Sequence, residues 1–492
     1  MELNQTSICY YDKRLAGISS CTESSDSIVP DTFPDIGRVI CAYGTAAVKD
    51  RTPQNGRLLI SGAVQTTILY QPENAEGLRR LSVPISFAYI EECDGLDADA
   101  VCYVSCRVAA VDAVPVNSRK LNVSAQLCFE VECYCKADCQ VTEGVELPQI
   151  QMLRTPHTVT VVQQAHSCPI TILEDVTLQD ANDLQLLHTA CTLKSTECRA
   201  MRGKVVLKGE AVLQCLALQE DDAVRVLSNS TPFTQILEIP DLEESDPVSV
   251  RLAAHEVDCR LESDGLLSYT ISAEAAFTVR GTKSIQQIDD MYIPGKTLQI
   301  QEEKAALHSM PPLTPFAAEV NETLQTAQHV SHIIHAGAVC CGAKRNTTTN
   351  TLQLTVAVQV LYLNDEQQLS ALQRTLPLTA SCTAMGELSQ IELNARAAAA
   401  GETGLLLSVA VSGMAALEER CVFRNITALE ESEAPKNNDG VTLVLRYIDQ
   451  EQALWEVAKS CGTTMEAIRR ANDLPPDAVS ASKTMLLIPI QA

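Results

Sequence analysis

The side chains most able to do chemistry in this sequence are its cysteines. Cys128, Cys133, Cys135 and Cys139 crowd one stretch, and Cys102 and Cys106 lie on a segment expected to run beside it. Thiolates at that density could hold zinc, which takes four ligands in a tetrahedral array. The spacing argues the other way. Cys-x-Cys puts both sulfurs on one face of a strand, and the chain contains no Cys-x-x-Cys pair. Free thiols serving as small buried hydrophobes are the expectation, with no metal site. His332 and His335, three apart in a strand-like run, would point to opposite faces. Gly295-Lys296-Thr297 has the look of the end of a phosphate-binding loop, but the earlier glycine would fall where Asp290 stands, so a turn carrying a lysine is expected. Neither a Gly-x-Ser-x-Gly elbow nor a His-Glu-x-x-His helix occurs. No catalytic constellation is visible, and neither an enzyme nor a cofactor is expected.

What remains is recognition. Trp455 is the only tryptophan. It either packs a small core, where so large a ring dominates stability, or reaches a surface as an interface anchor. Arg469-Arg470, followed by Asn472-Asp473-Leu474, forms a basic and polar edge in an acidic chain. Two exposed arginines are either a solvated helix face or a patch that meets a partner. Trp455, Arg469, Arg470, Asn472, Asp473 and Leu474 are therefore the candidate partner-binding residues.

These residues belong to a short C-terminal pattern that differs from everything before it. Residues 441–447 alternate as a strand. Leu454, Val457, Ala458 and Cys461 share one helical face that ends at Gly462. Thr463 or Thr464 can cap a second helix with Met465, Ile468 and Ala471 inside, and residues 485–490 supply a closing strand. The result is a β-α-α-β unit of about fifty residues, near the lower limit for independent folding.

The preceding chain is strand-like. Leu58–Tyr70 alternates through Ile60, Gly62, Val64, Thr66, Ile68 and Tyr70, as a half-buried strand does. The pattern returns at Val205–Leu218 and Leu352–Tyr362, spaced by roughly 145 to 147 residues, which is the size of a whole domain. Further strands are expected at 101–111 and 121–134, with counterparts at 248–257 and 266–279 and at 391–398 and 405–415. Turn formers such as Asn55-Gly56 and Asp264-Gly265 separate them. The expected fold class is mainly β: tandem antiparallel β-sandwich-like modules spanning 1–143, 157–302 and 316–430, a linker at 431–440, and the small β-α-α-β domain at 441–492. Pro-containing joints are expected at 144–156 and 302–315. Where Gly62 and Gly209 match, Leu354 fills the place in the third unit, so that unit should pack more side chain there.

Composition narrows the function classes. The 492 residues hold 62 acids against 37 bases, a net charge of −25. Such a balance argues against non-specific binding to nucleic acid or anionic membranes. The N-terminus shows neither a basic nor an apolar leader region, and no run approaches the roughly 18 apolar residues of a membrane helix. A reduced cytoplasmic setting would suit the scattered cysteines.

The C-terminal unit resembles a LysM domain through Leu454-Trp455, Val457-Ala458, Thr463-Thr464, Ile468, Ala471-Asn472-Asp473-Leu474 and Leu486-Leu487-Ile488-Pro489. It differs at Glu451-Gln452-Ala453, where Gly-Asp-Thr is usual, and at Lys483, where glycine is usual. Val29-Pro-Asp-Thr-Phe-Pro-Asp-Ile-Gly-Arg-Val-Ile40, followed by Leu58–Tyr70, resembles the start of a SPOCS domain. SPOCS repeats ending in one LysM domain is the architecture of SipL-like spore coat morphogenetic proteins of spore-forming Firmicutes. The resemblance implies a scaffold without catalytic activity in the mother-cell cytoplasm, at the forespore surface. Its LysM domain would dock a spore coat morphogenetic ATPase of the SpoIVA type. LysM domains more generally bind N-acetylglucosamine polymers, so a glycan-binding or cell-wall-hydrolase accessory protein is the rival reading.

Overall fold

The structure, a computed structural model, describes residues 2–178, 184–219, 222–310, 313–346, 348–381, 387–401, 403–416, 419–433 and 441–490. Strand makes up 77% of the chain and helix 3%, so the mainly-β expectation holds. The first module runs β1 (Glu2–Ile28), β2 (Ile36–Gln54), β3 (Arg57–Pro72), β4 (Arg79–Glu92), β5 (Val101–Asn117) and β6 (Lys120–Glu146). Two antiparallel three-stranded groups, β2-β3-β4 and β1-β6-β5, lie face to face. The expected faces of β3 and β6 meet in the core: Ile60, Val64, Ile68 and Tyr70 from one, Val123, Leu127 and Phe129 from the other, all at most 1% exposed. Gly56, at φ +81°, makes the β2–β3 hairpin turn.

The second module repeats this order as β7 (Gln151–Thr177), β8 (Gln185–Met201), β9 (Lys204–Leu218), β10 (Val224–Glu238), β11 (Val248–Leu261) and β12 (Leu266–Tyr292). Its groups are β8-β9-β10 and β7-β12-β11. The third comprises β13 (Lys296–Ser309), β14 (Thr314–Gln325), β15 (His332–Asn346), β16 (Thr351–Leu363), β17 (Leu369–Ser381), β18 (Glu387–Ala400), β19 (Gly404–Ala416) and β20 (Glu419–Glu433). Its groups are β15-β16-β17 and β14-β19-β18.

Each module also has a stem. The first and last strands run on past the sandwich as a two-stranded ribbon: β1 with β6, β7 with β12, and β13 with β20. A bulge recurs at one place in each ribbon, at Glu143, Asp289 and Thr427. The three ribbons share apolar cores. Tyr10, Val141, Val159, Ile285, Leu307 and Phe423 form one, and Val145, Ile288, Met291, Ile426 and Leu429 the next. The heads meet as well, with Leu69, Leu216 and Leu361 from corresponding places in β3, β9 and β16 in a single cluster. The modules are thus packed around one another with an approximate threefold relation.

The joint expected at 144–156 narrows to residues 147–150, between β6 and β7, with stem strand on either side. The joint expected at 302–315 falls elsewhere: 302–309 and 314–315 belong to β13 and β14 of the third module, and the second and third modules connect through residues 293–295. The polar run Thr22–Ser27 belongs to β1 and pairs residue by residue with 121–126. Of the linker expected at 431–440, residues 431–433 finish β20 and the rest lie outside the described residues.

The glycine comparison holds in packing terms. Gly62 lies opposite Phe87, and Gly209 opposite Phe233. A Cβ on Gly62 would run into the Ala47 carbonyl and the Phe87 ring; on Gly209 it would meet the Lys194 carbonyl and the Phe233 ring. In both modules an aromatic ring covers the glycine's bare backbone. Leu354 instead faces Leu378, and both are buried.

Candidate functional site: the C-terminal module and its seat

The C-terminal module consists of β21 (Leu443–Ile448), β22 (Gln452–Ala453), α1 (Leu454–Cys461), α2 (Met465–Ala471), β23 (Ser480–Ala481) and β24 (Thr484–Pro489). Both helices end where their chemistry dictates. Gly462 takes the left-handed conformation at φ +64° and donates its N–H back to α1 carbonyls. Thr464 caps α2 by accepting from the Ala467 N–H at 3.1 Å. Leu454, Val457, Ala458 and Ile468 then bury fully against Ile448, Leu486 and Ile488.

Trp455 is where this module meets the rest of the chain. Its indole N–H donates to Asp290 Oδ2 at 2.7 Å, and its ring meets the Tyr292 ring edge-on at 4.9 Å. Lys459 Nζ reaches the same carboxylate at 2.7 Å, and the Tyr292 hydroxyl donates to the Thr463 carbonyl at 2.8 Å. Asp290 and Tyr292 close β12, so the module is seated on the end of the second stem. Burial works to raise the Asp290 pKa, but Lys459 and the Trp455 N–H outweigh it and hold the carboxyl below its usual range. Burial, with Asp290 nearby, pushes the Tyr292 phenol up to about 12.

The other candidate residues separate by role. Asn472 donates to the Ile468 and Leu487 carbonyls and accepts from the Leu487 N–H, each at 2.7 Å, pinning the end of α2 to β24. Arg469 Nε donates to the Ala478 carbonyl at 2.8 Å, and Leu474 packs against the module core. Arg470 and Asp473 project into solvent, Arg470 beside Glu466 at 2.6 Å and Asp473 at φ +51°. Sequence reasoning missed Asp290 and Tyr292. They lie more than 160 residues from Trp455, and nothing local distinguishes them.

The crowded cysteines divide among three places in the fold. Cys102 lies opposite Cys133, and Cys133 and Cys135 share the first module's core. Cys128 packs with Cys341 between the first and third modules, and Cys139 lies in the stem. Among the described residues, no three His, Cys, Asp or Glu side chains form a metal-binding group, and the nineteen described cysteines are free thiols. His332 is exposed, whereas His335 lines the space between the heads. Gly295 is a turn residue at φ +73°, and Lys296 pairs with Glu431 at 3.0 Å.

Where the three heads face one another they leave a partly open space of about 1230 Å³, bordered by Tyr43, Arg107, Glu130, His188, Arg251 and His335. The strand expected at 101–111 lends it Tyr103, Ser105 and Arg107, while Cys102 and Val104 face the core. Arg251 pairs with Glu130 and Glu132 and covers the Tyr103 ring at 4.0 Å. The Tyr43 and His188 rings stack at 5.0 Å, and burial pushes His188 down to about 4, with His335 contributing. Acidic, basic and apolar side chains all border this space.

Two stretches of the chain match a known family model. It is the SPOCS domain of SipL, at residues 35–116 and 184–262. The match supports a SipL-like protein with a sporulation-related role. The matched segments coincide with β2 to β5 and β8 to β11, the same four strands of the first two modules. The stem-forming strands β1, β6, β7 and β12 lie outside them. The third module repeats the SPOCS strand order in β15 to β18 without matching. No curated protein and no solved structure matches the chain. No helix among the described residues is long and apolar enough to cross a membrane.

Proposed function

We propose that this chain is a non-enzymatic scaffold of spore coat or spore envelope assembly. Its three β-modules pack on one another through shared apolar cores, and its C-terminal module docks a protein partner at the forespore surface, a coat morphogenetic ATPase of the SpoIVA type. The paired SPOCS match is the observation that carries the reading. The C-terminal module adds support from local geometry. Lys483 adopts φ +47°, a conformation that favours glycine, at the place where LysM domains usually have one. The order of two capped helices between paired strands also follows the LysM resemblance.

Ending the chain after Glu433 tests this. The cut keeps β20 paired with β13 and removes only the C-terminal module. In sporulating cells a fluorescently tagged truncation should lose its forespore localisation and fail to pull down the ATPase, while the purified β-body stays folded by circular dichroism. Retained localisation and pull-down would overturn the proposal.

A further inference from the structure

The C-terminal module has a second surface that the seat on the stem does not use. β21 and β24 pair as a two-stranded sheet, with Leu443 opposite Pro489, Leu445 opposite Leu487 and Tyr447 opposite Met485. One face of this sheet, with Ile448, Leu486 and Ile488, covers the helices. The other presents Leu443, Leu445, Tyr447 and Met485 at 47–64% exposure. Six of the sixteen exposed large hydrophobics among the described residues fall in this small module. Strands that are apolar on both faces are the pattern of a sheet covered on both sides. Two helices supply one cover, and a third layer is missing.

The size and charge of the face decide what would supply it. Six paired residues give a strip about 20 Å long and 10 Å wide, on the order of 200 Å². That is well short of the roughly 800 Å² per partner in a stable dimer. It matches the length of about thirteen helical residues at 1.5 Å each. A second copy is also disfavoured by charge. Residues 441–490 carry five basic and six acidic side chains, so nearly all of the −25 resides in the body that a second copy would bring close. A helix flanked by Lys or Arg would instead be drawn to this chain.

We infer that the β21–β24 face docks an amphipathic helix of the partner protein, with basic residues bordering its apolar stripe, completing a helix–sheet–helix sandwich. The inference rests on the docking function proposed above and names its surface.

The probe is a labelled Leu/Ala/Lys peptide with a single apolar helical stripe, titrated by fluorescence anisotropy against the full chain. It should bind, and Leu445→Lys should weaken it by about tenfold or more, as loss of a central apolar anchor does. Val114→Lys, at an exposed apolar residue of the first module, should leave binding unchanged. Equal binding to wild type and Leu445→Lys would overturn the inference. So would a concentration-dependent dimer in sedimentation equilibrium that Leu445→Lys abolishes, or tighter binding of the same pattern with Glu for Lys. Unchanged Trp455 emission confirms that the variant's module is folded and seated. In sporulating cells, Leu445→Lys should mislocalise like the chain ending at Glu433. If the truncation is released and Leu445→Lys is not, the docking function stands and this face is not its site; if neither is released, both fall.

Discussion

Replacing Tyr292 by alanine should unseat the C-terminal module from the stem. The ring is 6% exposed and packs with the module's core. Truncating a buried aromatic costs about 3–5 kcal/mol. Within that total, the edge-on pairing with Trp455 contributes about 0.5–1.5 kcal/mol, and the hydroxyl bond to the Thr463 carbonyl about 1 kcal/mol. A loss of this size shifts the ratio of seated to free module by roughly two to three and a half orders of magnitude. Trp455 is the chain's only tryptophan, so its fluorescence reports on the seat without interference. In Tyr292→Ala the emission should move to the red and become open to iodide quenching, because the indole loses both the Tyr292 ring and its hold on Asp290. Tyr292→Phe keeps the ring and gives up only the hydroxyl bond, so it should remain seated with emission close to wild type. Emission and quenching in Tyr292→Ala identical to wild type would show that the module is held elsewhere.

Two further outcomes follow from the heads. His188 has its pKa lowered on folding, so the unfolded chain binds the proton first and acid favours unfolding. The stability His188 contributes should be intact above about pH 6.5 and lost as pH falls toward 4, at most about 3 kcal/mol; chemical denaturation across that range should show a smaller loss in His188→Phe, which keeps the stacking on Tyr43. Gly62→Ala should cost about 1–3 kcal/mol, since the new methyl meets a backbone carbonyl and a packed ring; a wild-type melting temperature for that variant would contradict the close approach to Phe87.

The parts of this fold legible in the sequence are those with one buried face and one different face. β3, β9 and β16 each line a core with every second residue, so Ile60, Leu207 and Leu354 announce their strands. The helices of the C-terminal module were legible through Gly462 and the Thr464 cap, which act within a few residues. β4, β10 and β17 escaped notice although β4 alternates cleanly, with Leu81, Val83, Ile85 and Phe87 buried; each carries a mid-strand proline (Pro84, Pro232, Pro377), which argues against a strand in sequence and is tolerated here because all three are outer strands. The stem was illegible for a different reason. Its apolar cores are assembled from three ribbons far apart in sequence, and each ribbon contributes too few buried side chains to read as a strand alone. At the candidate site, Trp455 could be read as core packing or as an anchor; it packs the module core, and the groups its ring and N–H meet beyond it, Tyr292 and Asp290, belong to its own chain.

The closure of each module by its last strand has a consequence for how the protein is made. β1 is finished at Ile28, yet its partner β6 begins only at Lys120. At about 5–20 residues per second, that opening strand waits roughly 5–20 s on the ribosome before anything can pair with it. An unpaired apolar strand would spend that time as a template for aggregation. The Ser, Thr and Asp residues of Thr22–Ser27, which disguise the strand in the sequence, are what let it wait in water.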